Sequence, residues 1–167
     1  MDFPDIENKY PLECQYNIWS HQTNNSDWSP TSYTLLHTFD TLRGFCDFFQ
    51  KHPEPQLGMF FIMKDPIVPT WEDVHNAPGG CWSFKLNKNN YIDIWTKLTA
   101  SFIGKTLTND VENMSDINGI SLTVRRHNII MKIWNNDRAK NDVNIIRNDL
   151  EAIKLSDSIY QQHKGRE

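Results

Sequence analysis

The sequence of 167 residues is poor in the features that mark membrane, disulfide-rich and strongly basic proteins. Its longest apolar runs, such as Gly58 to Met63, are far shorter than the ~18 residues of a membrane-spanning helix. The three cysteines, Cys14, Cys46 and Cys81, are too few and too widely spaced for a disulfide framework or a zinc knuckle, so we expect a reducing compartment. The formal net charge of -4 argues against a broad phosphate-binding surface.

Motifs of the common enzyme classes are also missing. The sequence contains no GxSxG, no phosphate-binding loop and no HExxH. Asp73 and His75 lie near Glu72, but no second ligand group stands at a diagnostic spacing, so neither a metal nor another cofactor is expected. The first ten residues are acidic and lack the apolar stretch of a secretory signal. These observations favour a cytoplasmic binding protein over an enzyme.

The chain has the length of one domain with a sizeable core. Period-two alternation predicts strands over Leu12 to Ile18, Ser32 to Thr38, Gly58 to Lys64 and Trp82 to Leu86, and a hairpin from Ile120 to Ile133. Helical spacing predicts three helices: one from Leu42 until His52-Pro53 ends it, one over Tyr91 to Ile103 and one over Val143 to Leu155. The polar composition of residues 106–115 predicts a loop. Without βαβ alternation, this order predicts an α+β fold with an antiparallel sheet and helices on one face. We expect a lead-in over residues 1–9, the domain over 10–158 and a C-terminal tail over 159–167.

Two of the six tryptophans, Trp28 and Trp71, lie in polar or Pro/Gly-rich loops, where the local pattern offers no core to fill. Either one alone is most simply a loop anchor. Two together favour a slot for a flat ring, since stacking on an aromatic side chain contributes about 1–3 kcal/mol per base. Glu72 follows Trp71 directly and could accept the paired N–H donors of a guanine edge, although a solvated loop acid is the simpler interpretation.

The basic residues are concentrated toward the C-terminus. Residues 1–120 carry 8 basic and 15 acidic side chains, whereas residues 121–167 carry 9 and 6. Arg125 ends a predicted strand, and Lys132 and Trp134 share one face of the return strand by the period of two. This hairpin is therefore a candidate phosphate site, although ordinary surface charges at a hairpin explain the spacing equally well.

The joint pattern resembles the eukaryotic translation initiation factor 4E family of mRNA cap-binding proteins. The stretches that carry the resemblance run from about residue 10 to 155 and are Tyr10-Pro11-Leu12 with Trp19, Trp28, Phe39-Asp40-Thr41, Pro69-Thr70-Trp71-Glu72-Asp73 with Gly79-Gly80-Cys81-Trp82, Trp95 to Gly104, and Gly119 to Trp134. The resemblance implies a curved antiparallel β-sheet with about three helices packed on its convex face. It also implies a monomeric, non-catalytic protein that binds the 7-methylguanosine cap in translation initiation. The divergence of the chain would suit a viral or parasite copy.

The resemblance further implies roles for single residues. Trp28 and Trp71 would sandwich the methylated base, Glu72 would pair with the guanine edge, and Trp134 would contact the methyl group. The backbone N–H of Trp71 would meet the guanine carbonyl. Arg125 would hold phosphate.

Two departures weaken the implied phosphate site. Cys81 stands where the family usually has a basic residue, and Ile130 stands where it has a lysine. Lys132, on the same face as Ile130, is the first candidate to replace them. Lys85 and His127 are further candidates.

A second implied surface is the helical face that docks an initiation factor 4G scaffold. Its positions here are Tyr10, Pro11, Leu42, Cys46, Trp95, Lys97 and Ala100. Cys46 replaces a tryptophan, Lys97 replaces an acid, and Tyr10 and Ala100 also depart from the family pattern. Because buried aromatic anchors and opposed charges dominate such interfaces, we expect weak binding to the usual scaffold helix and a divergent or dedicated partner.

Other functions remain open from the sequence. The protein could hold the cap without recruiting the scaffold, as a translational repressor or competitor. A carbohydrate-binding module would also use exposed tryptophans, and a cap hydrolase would need a carboxylate cluster that the sequence does not show. Residues 160–167 could lie near the first transcribed nucleotides, although disorder is the simpler expectation.

Overall fold

The computed structural model describes residues 10–147 and 153–164. Within them, the strands are β1 (Pro11–His21), β2 (Thr34–Thr41), β3 (Gly58–Lys64), β4 (Gly80–Leu86), β5 (Ile117–Val124), β6 (Ile129–Asn135) and β7 (Ile159–Gln162). The helices are α1 (Leu42–Lys51), α2 (Tyr91–Ile103) and α3 (Val111–Asp116), with 3-10 turns at Pro30–Ser32, Val143–Ile145 and Leu155–Asp157. All seven strands form one curved antiparallel sheet in the order β2-β1-β3-β5-β6-β4-β7. The predicted α+β class with about three helices is confirmed.

Local sequence signals account for the helix ends. The Thr41 hydroxyl caps α1 by accepting a hydrogen bond from the Gly44 N–H at 3.2 Å. At the end of α2, the Gly104 N–H donates to the Ala100 carbonyl at 2.9 Å. Both helices therefore begin and end close to the predicted positions.

The two faces of the sheet carry different clusters. The main core packs α1, α2 and α3 against one face, through residues such as Phe45, Leu98 and Met114. The other face carries a smaller cluster of Phe61, Met63, Ile67, Cys81 and Trp134, against which Trp19, Tyr33, Met59 and Trp71 pack. The alternation along β6 sends Met131 into the main core and Trp134 into the smaller cluster. The helix-free face is thus unusually aromatic.

The structure differs from the sequence prediction in three places. Residues 106–115 were expected to be loop, but they contain most of α3, because the Asp110 carboxylate caps the Asn113 N–H at 2.7 Å and Met114 is buried. The predicted helix over 143–155 is replaced at its ends by 3-10 turns, and its residues 148–152 lie outside the described residues. The expected C-terminal tail begins as strand β7, which pairs with β4.

No helix in residues 10–147 and 153–164 combines the length and the hydropathy needed to cross a membrane.

Candidate ligand-binding site

A cavity of about 530 Å³ opens beside the aromatic cluster on the helix-free face. Strands β3, β5 and β6 and three loop or terminal segments line it with Trp28, Tyr33, Met59, Phe61, Pro69, Thr70, Trp71, Glu72, Ser121, Thr123, Lys132, Trp134 and Lys164. The lining includes every residue that the sequence analysis assigned to the base. It also includes Lys132, one of the residues assigned to the phosphates. Arg125 lies outside the lining.

Trp28 lies in the connection between β1 and β2, where a histidine supports it. Its side chain is 42% exposed, and its ring stacks on His21 with 4.5 Å between centroids and 10° between planes. The His21 Nε2 atom is 2.8 Å from the Asp27 carbonyl oxygen, and the Asp27 carboxylate accepts a hydrogen bond from the Ser29 N–H at 2.9 Å. The Trp28 loop is therefore fixed to the end of β1, and an imidazole covers one face of the indole.

The loop that carries Trp71 is built around a buried asparagine. Asn76 is fully buried, and its Nδ2 donates to the carbonyls of Val68 at 3.0 Å and Thr70 at 2.9 Å. Its Oδ1 accepts a hydrogen bond from the Asn118 Nδ2 at 2.8 Å, which ties the loop to β5. Because the asparagine amide satisfies two backbone carbonyls just before Trp71, this tryptophan is held on an ordered loop despite the surrounding prolines and glycines.

Asp73 serves the structure of the same loop. One carboxylate oxygen accepts from the Val68 N–H at 2.9 Å, and the other lies 2.8 Å from the His75 backbone nitrogen and 2.9 Å from the His75 Nδ1. Among the described residues, no three His, Cys, Asp or Glu side chains group closely enough to hold a metal ion.

His163 follows β7 and joins the C-terminal segment to the Trp71 loop. Its Nδ1 lies 2.8 Å from the Asn76 carbonyl oxygen, and its backbone N–H donates to the Gly79 carbonyl at 3.0 Å. The imidazole stacks on Trp71, with 5.6 Å between centroids and 19° between planes, and leans on Trp134 at 4.8 Å. A residue that the sequence analysis placed in a tail thus contacts both indoles at one end of the cavity.

Trp134 borders the cavity from β6. It is 3% exposed, its Nε1 donates to the Ser121 hydroxyl at 3.0 Å, and its ring meets Phe61 edge-on at 6.1 Å. Cys81 lies directly across from Trp134 on β4 and is fully buried. Burial raises the pKa of the Cys81 thiol, and a neutral thiol cannot form an ion pair with phosphate.

Glu72 gives one part of the cavity a negative charge. Burial, together with the nearby charge of Glu72, raises the pKa of Tyr33 to about 12. Tyr33 itself is held by an edge-on contact with Phe61 at 5.5 Å. The carboxylate therefore acts on groups inside the cavity.

Lys164 lines the cavity from the segment after β7, and the other basic side chains lie toward the β5–β6 turn. Lys132 borders the cavity from β6. Lys85 pairs directly with Ile130 across β4 and β6, so its side chain projects from the same face as Ile130 and Lys132. Arg125 stands at the start of the turn, where its N–H donates to the Asn128 carbonyl at 2.9 Å. The alternation along β5 puts Arg125 on the cavity face, beyond the residues that line it.

The predicted scaffold face lies on the opposite side of the sheet. Six of its residues are exposed, namely Tyr10, Pro11, Leu42, Cys46, Lys97 and Ala100. Tyr10 and Leu42 are adjacent, because the Leu42 N–H donates to the Tyr10 carbonyl at 3.0 Å. Trp95 differs from the others, since it is 3% exposed and belongs to the main core.

Sequence reasoning missed several residues that line the cavity or support its tryptophans. Met59 and Phe61 could have been found, because the period of two places them on one face of β3. His21 and His163 gave no such signal, because their contacts with the tryptophans arise only when distant loops fold back onto the strand ends.

Comparison with known proteins adds a family assignment to this geometry. The sequence model of the family described as "Eukaryotic initiation factor 4E" matches residues 11–166. Eukaryotic translation initiation factor 4E of Candida albicans is 30% identical over 141 residues, which are 77% of this chain and 66% of that protein. The Saccharomyces cerevisiae factor is 28% identical over 166 residues, covering 93% of this chain and 76% of that protein. The matched chain thus spans just under two thirds of the Candida protein.

Solved structures agree with the fold. Ascaris suum eIF4E-3 in complex with an m2,2,7G cap is 26% identical, with a TM-score of 0.72 over 95% of this chain and 93% of that one. Caenorhabditis elegans eIF4E-3, in complex with the 4E-binding protein Mextli and a cap analogue, is 24% identical, with a TM-score of 0.73 over 92% of each chain.

Proposed function

The chain belongs to the eukaryotic initiation factor 4E family, and from that premise we propose that it binds the 7-methylguanosine cap of messenger RNA in translation initiation. The observation that carries the proposal is the meeting of Trp28, Trp71 and Glu72 around one cavity of about 530 Å³. Ligand pockets commonly have volumes of about 300–1,000 Å³. The role we propose is recognition without chemistry, carried out in the cytoplasm by a monomer.

The methylated base is flat and positively charged, and both properties suit the cavity. Stacking on Trp28 and on Trp71 contributes about 1–3 kcal/mol per aromatic contact. Cation–π attraction adds roughly 0.5–2 kcal/mol for a desolvated cationic ring and nothing for unmethylated guanine. The methyl group rests against Trp134, which borders the cavity from β6.

The guanine edge is read by Glu72. A carboxylate accepts two parallel hydrogen bonds, and guanine presents two N–H donors side by side on its Watson–Crick edge. Adenine presents a single donor group there, so it is discriminated against. The backbone N–H of Trp71 completes this recognition by donating to the guanine carbonyl.

The phosphates extend toward the β5–β6 turn. Lys132 is the first ligand, because it borders the cavity, and Lys85 and Arg125 lie farther along the same face. Cys81 takes no part because it is buried and its thiol pKa is raised. His127, in the turn, is a further candidate.

The partner surface is the exposed helical face around Leu42, Cys46 and Lys97. A scaffold helix that fits it has a larger apolar residue opposite Cys46 and an acid opposite Lys97, which differs from the usual initiation factor 4G helix. The small and basic character of these two exposed residues also favours the second candidate function, a cap-binding repressor or competitor that does not recruit the scaffold.

Tryptophan fluorescence tests the proposal. Titration with 7-methyl-GTP is expected to quench emission strongly, and plain GTP is expected to bind about 2- to 30-fold more weakly because it gains no cation–π attraction. Trp28→Ala and Trp71→Ala should each abolish most of the affinity. Val74→Ala is a matched control, since Val74 lies in the Trp71 loop but is 77% exposed and outside the lining. Equal binding of the two nucleotides would contradict the proposal.

A further inference from the structure

We infer that His21 and His163 are positioning residues for Trp28 and Trp71, respectively, and that their hydrogen-bond geometry holds each of them as a neutral imidazole. Each ring stacks on one indole and contacts a backbone carbonyl of the loop that carries this indole. The inference rests on the proposed function, since it concerns how the same cavity accepts a positively charged ring.

The two histidines repeat one arrangement on unrelated parts of the chain. His21 ends β1, stacks on Trp28 at 4.5 Å and places its Nε2 2.8 Å from the carbonyl oxygen of Asp27. His163 follows β7, stacks on Trp71 at 5.6 Å and places its Nδ1 2.8 Å from the carbonyl oxygen of Asn76. Both side chains are only 3% exposed. Each ring therefore fixes the plane of one indole and leaves the opposite indole face for a ligand.

The hydrogen bonds indicate which nitrogen carries the proton. A carbonyl oxygen only accepts, so the proton lies on the nitrogen that faces it, Nε2 in His21 and Nδ1 in His163. The other nitrogen of each ring is buried and has no hydrogen-bond partner among the described residues. A second proton on this buried nitrogen would create a charged donor without an acceptor. That state is far less favourable than the neutral ring, in which the same nitrogen is an acceptor without a donor. The geometry thus suits the neutral ring.

The charges around the two rings come from several elements. Burial lowers the pKa of His163, the hydrogen bond to Asn76 opposes that shift, and the positive charge of Lys132 on β6 lowers the pKa further. Lys164 follows His163 in the chain, and Glu72 adjoins Trp71 in the facing loop.

Around His21, the facing groups are the Asp27 carbonyl, the Ser32 hydroxyl at 3.2 Å and the Tyr33 ring at 4.7 Å. The Asp27 carboxylate belongs to the same loop, and Glu72 lies beyond Tyr33, on which its charge acts.

Protonation of His163 would oppose binding of a cationic base. An imidazolium stacked on Trp71 takes up the cation–π attraction of that indole and repels a second cation on the other side of the ring. By linkage, a ligand that prefers the neutral His163 binds more weakly as a proton binds to this histidine. We therefore expect cap affinity to fall on acidification through His163.

Two substitutions at each histidine separate the contribution of ring stacking from that of the hydrogen bond to the backbone carbonyl. Phenylalanine keeps a stacking ring but has no titrating nitrogen, whereas glutamine keeps a donor for the carbonyl but has no ring. The probe is the dinucleotide m7GpppG, which lacks the terminal phosphate whose own pKa is about 6. Affinity is measured by fluorescence quenching between about pH 5.5 and 7.5, the range in which histidine titrates. His52→Gln is the control, because His52 also packs on an aromatic ring, Phe48, but lies outside the cavity.

The affinity of the unchanged protein is expected to fall by up to about tenfold on acidification, and His163→Phe should lose most of this dependence while binding within about threefold at the upper pH. His163→Gln and His21→Gln should bind about tenfold more weakly at the upper pH, because the indole planes are no longer fixed. Glutamine variants that bind like the unchanged protein with the same pH profile would overturn the inference.

A readout without ligand separates this inference from the proposed function. Long-range ¹H–¹⁵N NMR spectra of the free protein should show the Nε2–H tautomer for His21 and the Nδ1–H tautomer for His163 near neutral pH. An imidazolium spectrum for either ring would refute the assignment. If the tautomers are as expected but m7GpppG does not bind, the cap-binding proposal fails while the placement of the two rings stands.

Discussion

Lys132 provides the sharpest test of how the cavity extends to a phosphate chain. It borders the cavity from β6, directly across from Ser83 and Ser121. Lys132→Met removes the charge and keeps most of the apolar stem. A hydrogen bond to a charged group contributes about 1.5–3 kcal/mol, so 7-methyl-GTP should bind about 10- to 150-fold more weakly.

The assay compares 7-methyl-GTP with the nucleoside 7-methylguanosine. The nucleoside has no phosphate, so the same substitution should leave its affinity within about twofold. The salt dependence of 7-methyl-GTP binding should also become less steep, because one fewer phosphate is neutralised. Lys88→Met is the matched control, since Lys88 is exposed after β4 and outside the cavity lining.

Unchanged affinity of Lys132→Met for 7-methyl-GTP would refute the assignment. The other basic side chains near the cavity, Lys85, Arg125 and Lys164, would then be the candidate phosphate ligands. Equal weakening of nucleoside and nucleotide would also refute it, since that result means that Lys132 supports the base slot and not the phosphates.

The remaining predictions concern stability and partners. Asn76→Ala leaves buried backbone carbonyls unpaired and should lower the free energy of unfolding in urea by about 2–4 kcal/mol, whereas Val74→Ala should change it by less than about 0.5 kcal/mol. Because the folded-state pKa of His163 lies below its ordinary value of 6.5, the unfolded chain binds more protons as the pH falls below that value. The free energy of unfolding should therefore decrease there, and a decrease of the same size in His163→Phe would contradict this reasoning. In pull-downs, a Tyr-x-x-x-x-Leu-hydrophobic scaffold peptide should bind the unchanged protein weakly. It should bind the double variant Cys46→Trp, Lys97→Glu better. Binding of normal strength by the unchanged protein would contradict the proposal that these two residues weaken the interface.

The regular elements were predictable because their patterns are dense. Strand β3, predicted over Gly58 to Lys64, has these bounds in the structure, since a continuous apolar run of strand length leaves little choice. Helix α3 was not predictable in the same way. It has six residues, too few for a helical period, and it depends on the cap by Asp110 and the burial of Met114.

The aromatic lining of the cavity was predictable from the sequence, but the residues that hold its loops in place were not. Trp28 and Trp71 stood out because loop tryptophans have no local core to fill, and the structure places both on one cavity. Asn76 did not stand out, because its role depends on the path of the backbone around it. His21 and His163 were not predictable either, because stacking between a strand end and a distant loop produces no periodic pattern in the sequence.

The sheet itself explains how the two surfaces proposed to bind the cap and a partner protein can diverge separately. The cavity draws on the small aromatic cluster of one face, whereas Leu42, Cys46 and Lys97 lie on helices packed against the other. Substitutions more than about 10 Å apart without shared partners act additively. A change at Cys46 on the helical face would therefore alter the proposed partner while the cavity keeps its proposed ligand. The neutral Cys81 on the cavity face would likewise be offset by Lys132 and its neighbours on the same face, without any change in the helices.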